Sequence, residues 1–153
     1  MSSSARQIIL MADDDADDWL LVQDASAVGQ IGESLRFVAD GEELMDYLLL
    51  RGKYTEAVNA PAPGLILLDL NMPRKDGRQA LREIRQHPIL RRTPVVVFTT
   101  SKSDTDIRTL YDLGANSFVA KPAAFDALVK TMSALSAYWF GVVELPRPQL
   151  QVP

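Results

Sequence analysis

Hydrophobic residues fall into short runs at nearly regular intervals along the chain. The runs are Ile8-Ile9-Leu10-Met11, Leu35-Arg36-Phe37-Val38, Leu65-Ile66-Leu67-Leu68, Val95-Val96-Val97-Phe98 and Ser117-Phe118-Val119-Ala120. Three of them are almost continuously apolar. That suits strands buried on both faces, as in a parallel sheet covered by helices. Segments of helical length separate the runs. Ala16 to Val28 follows a capping candidate, Asp15, and stops at Gly29. Its core face is expected at Asp18, Leu21, Val22, Ala25 and Val28, spaced three or four apart. Glu42 to Leu50 follows Asp40-Gly41, and Gly77 to Gln86 ends before Pro88 with Ala80, Leu81 and Ile84 on one face. Ser103 to Leu113 has a serine cap and a Gly114 stop, and Ala124 to Phe140 follows Lys121-Pro122.

Strict alternation of strand and helix, five times over, predicts an α/β fold. It is a five-stranded parallel sheet with right-handed crossovers and helices on both faces. Residues 51–64, with Asn59-Ala60-Pro61-Ala62-Pro63-Gly64, read as a long surface loop. Residues 1–140 are expected to form one domain. Residues 141–153, with three prolines, are expected to form an extended tail with no output domain.

Composition narrows the function. A chain of 153 residues, 47% hydrophobic, can bury one substantial core. Sixteen Lys and Arg stand against twenty Asp and Glu, net −4, so there is no positive surplus to displace phosphate counterions and nucleic acid is not an expected partner. Cysteine is absent and His87 is the single histidine, which excludes disulfides, thiolate sites and histidine clusters. No apolar run approaches the roughly 18 residues of a membrane span, and the N-terminus lacks signal-peptide character, so a cytoplasmic protein is expected. The acidity is uneven: five of the fourteen Asp lie in residues 13–18, and without them the net charge would be +1.

Ligands in parallel α/β folds sit beyond the carboxyl ends of the strands. Those ends carry Asp13-Asp14-Asp15, then Asp69 followed by Leu70-Asn71-Met72-Pro73, then Thr99-Thr100, then Lys121-Pro122. Converging carboxylates repel one another, and a divalent cation among them lets them stay ionised. An all-oxygen site of carboxylates, a carbonyl and waters suits Mg²⁺ or Mn²⁺. A lysine and a hydroxyl aimed at the same point suggest an anionic partner with several oxygens, and a phosphoryl group fits. A carboxylate nucleophile would then form an acyl phosphate, and Asp69, at the end of a central strand, is the better candidate.

These features resemble the receiver domain of bacterial two-component response regulators, the (βα)5 flavodoxin-like, doubly wound CheY-like fold. The resemblance covers residues 6 to about 140. It rests on Asp13-Asp14, on LILLDLNMPRKDG at 65–77, on VVVFTT at 95–100 and on Lys121-Pro122, all in order at strand ends. It implies Asp69 as phosphoacceptor. It implies Mg²⁺ held by Asp14, Asp69 and the backbone carbonyl of Asn71, with Asp13 supporting partly through water. Lys121 would pair with phosphoryl oxygens, Thr99 would hydrogen-bond the phosphoryl group, and Phe118 would be the switch aromatic. Met72-Pro73 would shape the adjacent loop, Gly77 would let the chain enter the third helix, and Pro122 is a cis-proline candidate. Trp19 and Leu20 on the first helix are candidates for kinase docking. The hydrophobic cluster Tyr138-Trp139-Phe140 is a candidate homodimer interface, since exposed apolar patches often mark interfaces.

More narrowly, the chain looks like stand-alone regulators that pair with phytochrome-type histidine kinases. The cues are DDDADD, the long loop after the second helix, LDLNMPRKDG and the aromatic ending. The expected function is a phosphorelay switch that assists its own phosphotransfer and autodephosphorylation and is not otherwise an enzyme. Two other classes compete. An aspartyl-nucleophile phosphatase usually places a second Asp two residues after the nucleophile, and that position is Asn71. A phosphorylation-independent interaction module usually lacks an Asp or the Lys, and none is missing. Nucleotide binding lacks both GxGxxG and GxxxxGK[ST]. His87 reads as a helix-end residue, and Arg82, Arg85, Arg91 and Arg92 as a solvated basic face.

Overall fold

The structure, a computed structural model, describes residues 7–146. Five strands, β1 (Ile8–Ala12), β2 (Ser34–Val38), β3 (Leu65–Leu68), β4 (Val95–Thr99) and β5 (Ser117–Ala120), form one parallel sheet in the order β2-β1-β3-β4-β5. Five helices alternate with them: α1 (Ala16–Val28), α2 (Gly41–Leu48), α3 (Gly77–Gln86), α4 (Asp104–Leu113) and α5 (Phe125–Gly141). This is the doubly wound five-stranded sheet that the alternation predicts.

The strand pleat sorts the core into two layers, because successive side chains point to opposite faces. Leu10, Ile66, Leu68, Val95 and Val97 pack with Leu44, Leu81, Ile84 and Leu110 of α2, α3 and α4. Ile9, Met11, Leu65, Leu67, Val96 and Phe98 pack with Val22 and Ala25 of α1 and with Leu128 and Met132 of α5. β1, β3 and β4 are fully buried, as their continuous apolar runs require.

Helix starts follow local chemistry. Asp15, Asp40 and Ser103 each accept a backbone N–H at their helix start, and Asp76 with Gln79 completes a capping box on α3. Gly114 ends α4 with φ 107°, in the left-handed region. His87 closes α3, and its Nδ1 accepts the N–H groups of Ile89 and Leu90 at 3.1 Å, which is a structural task.

Several expectations need correction. The buried stripe of α1 is Val22, Ala25 and Ser26, whereas Leu21 is 47% and Val28 63% exposed. The helix lies against α5, and that crossing selects a narrower stripe than three-and-four spacing allows. The 51–64 segment is the expected long surface connection, exposed over most of residues 51–59, but it carries local structure that its composition does not announce. It contains two 3₁₀ turns, Gly52–Tyr54 and Ala57–Asn59, and buries Ala60. Tyr47 of α2 donates its hydroxyl to Pro61 O at 2.6 Å and packs on Tyr54. Arg85 does not belong to a solvated face. Its guanidinium donates to the carbonyls of Gly114, Arg91 and Thr93 and to Asn116 Oδ1, between 2.8 and 3.1 Å, clamping α3 to the entry of β4 and of β5. The Lys121–Pro122 bond, a cis-proline candidate, is trans, as is every peptide bond among the described residues. Trans is the favoured isomer, and here Lys121 N still donates to Thr99 O at 2.7 Å, prolonging the β4–β5 ladder.

At the C-terminus, α5 ends at Gly141, and Val142 N and Val143 N turn back onto Tyr138 O. The remainder of the expected tail, residues 147–153, lies outside the described residues. Trp139 and Phe140, candidates for a dimer face, are partly buried against the protein's own α1–α5 core layer. Tyr138 is half exposed. No helix among the described residues is long and apolar enough to cross a membrane.

Candidate functional site

β1 and β3 are neighbours, with Ala12 paired to Leu68, so the residue after each strand lands at the same edge. Backbone bonds hold both ends: Asp69 N donates to Ala12 O, and Asp13 N donates to Val38 O, each at 3.0 Å. The sheet order reverses here, since β1 connects outward to β2 on one side and pairs with β3 on the other. Asp13, Asp14 and Asp69 each offer a carboxylate oxygen, and these oxygens lie within 4.8 Å of one another. Asp13 and Asp69 are buried, and Asp14 is exposed.

Lys121, at the end of β5, reaches into this cluster. Its Nζ donates to Asp13 Oδ2 at 2.5 Å, to Asp18 Oδ2 at 2.8 Å and, at the limit of a hydrogen bond, to Asp69 Oδ2 at 3.5 Å. Burial disfavours the ammonium, yet the hydrogen bonds to Asp13 and Asp18 and the Asp69 charge outweigh it and hold its pKa above the ordinary lysine value. Burial raises the Asp13 carboxyl to about 6, against the lowering effect of the Lys121 and Asp15 N–H hydrogen bonds. One ammonium thus faces several carboxylates, one of them expensive to ionise. A divalent cation bound by these oxygens would remove that imbalance, and the all-oxygen donor set fits Mg²⁺ or Mn²⁺.

The remaining predicted residues surround the cluster. Asp69 Oδ1 accepts the Leu70 N–H at 2.8 Å, which fixes the carboxylate plane. Thr99, at the end of β4, is buried, and its hydroxyl has no hydrogen-bond partner. Ser26 on α1 is likewise unpartnered, so burial alone does not mark a ligand site; what distinguishes Thr99 is its place beside the carboxylate cluster, where its hydroxyl is free to donate to a ligand oxygen. Phe118 is half-buried against the α2–α3–α4 core layer. Asn71 is exposed in the β3–α3 loop, and Met72 is buried beneath it. Trp19 is less free than a docking residue should be. Its Nε1–H donates to Asp13 O at 2.7 Å and its ring stacks on Phe37, whereas Leu20 is well exposed.

Three features escaped the sequence reading. Asp18, assigned to a core face, is a partner of Lys121. The usable signal was its position four residues before buried Val22, which turns the first turn of α1 toward the sheet edge. Asp40 is buried and paired to Arg74, which takes a φ of 65°. Gly41 N donates to Lys75 O at 2.9 Å, so the turn after β2 braces the β3–α3 loop from two points. Asp106 of α4 accepts from Ser101 at 2.7 Å and from Arg78 at 2.8 Å, tying the β4–α4 loop to α3. No local pattern announces these last two contacts.

Comparison with known proteins agrees with this geometry. The family model described as the response regulator receiver domain matches residues 9–133. Response regulator Rcp1 of Synechocystis sp. is 39% identical over 144 residues, covering 94% of this chain and 96% of the relative. A crystal structure of its Mn²⁺-bound form superposes with a TM-score of 0.81 at 39% identity, covering 92% of this chain and 99% of that one. The phosphorylated cyanobacterial phytochrome response regulator RcpA superposes with a TM-score of 0.84 at 39% identity, over 93% and 99% of the two chains. Response regulator RPA3017, from red light signaling of R. palustris, gives 0.87 at 36% identity, over 92% and 98%. On these matches and on the converging carboxylates, lysine and orphaned hydroxyl, the chain belongs to the response regulator receiver domain family.

Proposed function

We propose that this protein is a phosphorelay switch whose phosphoacceptor is Asp69. The observation that carries the reading is the meeting of Asp13, Asp14, Asp69, Lys121 and the unpartnered Thr99 hydroxyl at one sheet edge. The donor is a phosphohistidine of a histidine kinase. Its N–P bond breaks, a P–O bond to the Asp69 carboxylate forms, and the imidazole leaves. Asp14, Asp69 and the Asn71 carbonyl would hold Mg²⁺, with Asp13 supporting it partly through water, and the metal when bound would neutralise charge developing on the phosphoryl oxygens. Lys121 supplies a second positive charge, and Thr99 donates its hydroxyl to a phosphoryl oxygen. The acyl phosphate ends when water attacks phosphorus, restoring the carboxylate and releasing inorganic phosphate; the same residues assist that step.

Phosphorylation adds roughly −1.5 to −2 charges beside Lys121 and Thr99. Movement of Thr99 toward the phosphoryl group opens space for Phe118 on the neighbouring strand, giving a two-state element. A phytochrome-type kinase is the proposed partner, by likeness to RcpA and RPA3017. Leu20 and its exposed neighbour Leu21 offer the docking surface on α1. The five strands and five helices, from Ile8 to Gly141, act as the receiver. Homodimerisation is proposed through the end of α5, where Tyr138 and Val142 are exposed. A concentration-independent monomer mass, with and without beryllofluoride, would remove the dimer.

The phosphoacceptor reading is tested by intact mass spectrometry after incubation with acetyl phosphate and Mg²⁺. One phosphoryl adduct is expected, and none when the metal is chelated. Absence of any adduct would replace the switch with a phosphorylation-independent interaction module.

A further inference from the structure

Asp18 has no task in the chemistry above, yet it makes one of the shortest contacts at the site. Its Oδ2 lies 2.8 Å from Lys121 Nζ, closer than Asp69 Oδ2 at 3.5 Å. Of the three carboxylates on this ammonium, Asp13 and Asp69 also belong to the group whose oxygens converge for a cation, and Asp18 does not. Asp18 is therefore the partner that Lys121 can keep when Asp13 and Asp69 serve a metal.

Accessibility separates the partners further. The Asp13 side chain is 1% exposed, so it cannot lose the ammonium without leaving a buried charge uncompensated. The Asp18 side chain is 29% exposed. With Lys121 it lines a groove of about 390 Å³ that Leu21, Val22, Phe98, Thr100 and Leu128 also line. Water can replace the ammonium at Asp18 at little cost, so the Asp18–Lys121 contact is the exchangeable one. We propose that Asp18 is a positioning residue. It holds the Lys121 ammonium off Asp69 in the resting protein and competes with an incoming phosphoryl group for it, restraining both formation and occupancy of the acyl phosphate. This rests on Asp69 being the phosphoacceptor. Competition for the ammonium and repulsion of a nearby anion act in the same direction.

The test uses Asp18→Asn, with Asp18→Glu as the conservative variant. At saturating Mg²⁺, D18N is expected to raise the initial rate of adduct formation from acetyl phosphate about two- to fivefold, the range set by a partly exposed ion pair. The same variant is expected to weaken Mg²⁺ binding by calorimetry about two- to fivefold, because the freed ammonium draws on Asp13 and Asp69 and repels the cation. D18E should return both toward wild type. A merely structural role would slow labelling along with any loss of metal affinity, and that result overturns the proposal, as do unchanged values for both. Unfolding midpoints of all three proteins separate misfolding from repositioning, and if D18N does not fold, D18E and Asp18→Ser carry the same comparison. If wild type takes no adduct, the phosphoacceptor reading fails and the competition, which rests on it, falls with it; an adduct in wild type that D18N forms no faster overturns the competition alone.

Discussion

Replacing Asp69 by asparagine is expected to leave the protein folded and unable to take a phosphoryl group. The amide oxygen can still accept the Leu70 N–H that Asp69 Oδ1 accepts at 2.8 Å. Lys121 keeps Asp13 and Asp18, so no buried cation is left unpaired. Removing one of several like charges also relieves repulsion, and the metal-free variant should be as stable as wild type or slightly more so. What is lost is the anionic nucleophile and one oxygen of the cation site. Mg²⁺ affinity is expected to fall about tenfold, the scale of one charge-assisted contact. Intact mass after acetyl phosphate and Mg²⁺ should show the adduct in wild type and none in the variant. The same contrast is expected with an autophosphorylated phytochrome-type histidine kinase as donor. An equal adduct in D69N would place the acceptor elsewhere.

The largest expected loss of stability comes from Gly77→Ala. A Cβ there would stand 2.2 Å from Asp69 O and 3.0 Å from the Leu70 Cα. Both obstacles are backbone atoms, so no side-chain rotation relieves the clash. The contact exists because Gly77 N donates to Leu70 O at 2.8 Å, closing the β3–α3 loop tightly over the end of β3. A methyl group must open that loop or shift α3. Overpacking of this kind costs about 1–3 kcal/mol, and the rigid neighbours place the expected value near 3 kcal/mol. Denaturant unfolding would show it as a lowered midpoint at unchanged slope. Mg²⁺ affinity should fall as well, because the displaced loop carries Asn71. A change below about 0.5 kcal/mol, the usual scale of an indifferent surface substitution, would contradict the tight closure.

The parts legible along the chain were those whose cause is local or periodic. Asp15 sets the start of α1 and Ser103 that of α4, because a capping side chain bonds N–H groups two or three residues away. Continuous runs marked β1, β3 and β4, since strands covered on both faces need apolar residues at every position. The second strand was equally visible, though its edge position leaves it only partly buried. Of the site, Asp13, Asp14, Asp69, Thr99 and Lys121 were readable because each lies at or just past the carboxyl end of a strand, and parallel strands deliver those ends to one edge.

Everything that depends on how elements cross was decided by the tertiary structure. The exposure of Leu21 and Val28 follows from the angle at which α1 meets α5, and helical spacing alone is blind to it. Arg85, expected in solvent, is consumed by carbonyls that come together only when α3 packs beside β4 and β5. Trp139 and Phe140 turned toward the core because α5 covers the sheet there. Asp18 joined Lys121 across 103 residues of sequence, and Arg74 joined Asp40 across 34. The chain by itself determined the fold and the chemical inventory of the sheet edge, since both follow from patterns within a few residues. Only the packed molecule decided which carboxylates share the lysine and which apolar residues remain outside, because those are contacts between segments that meet only after folding.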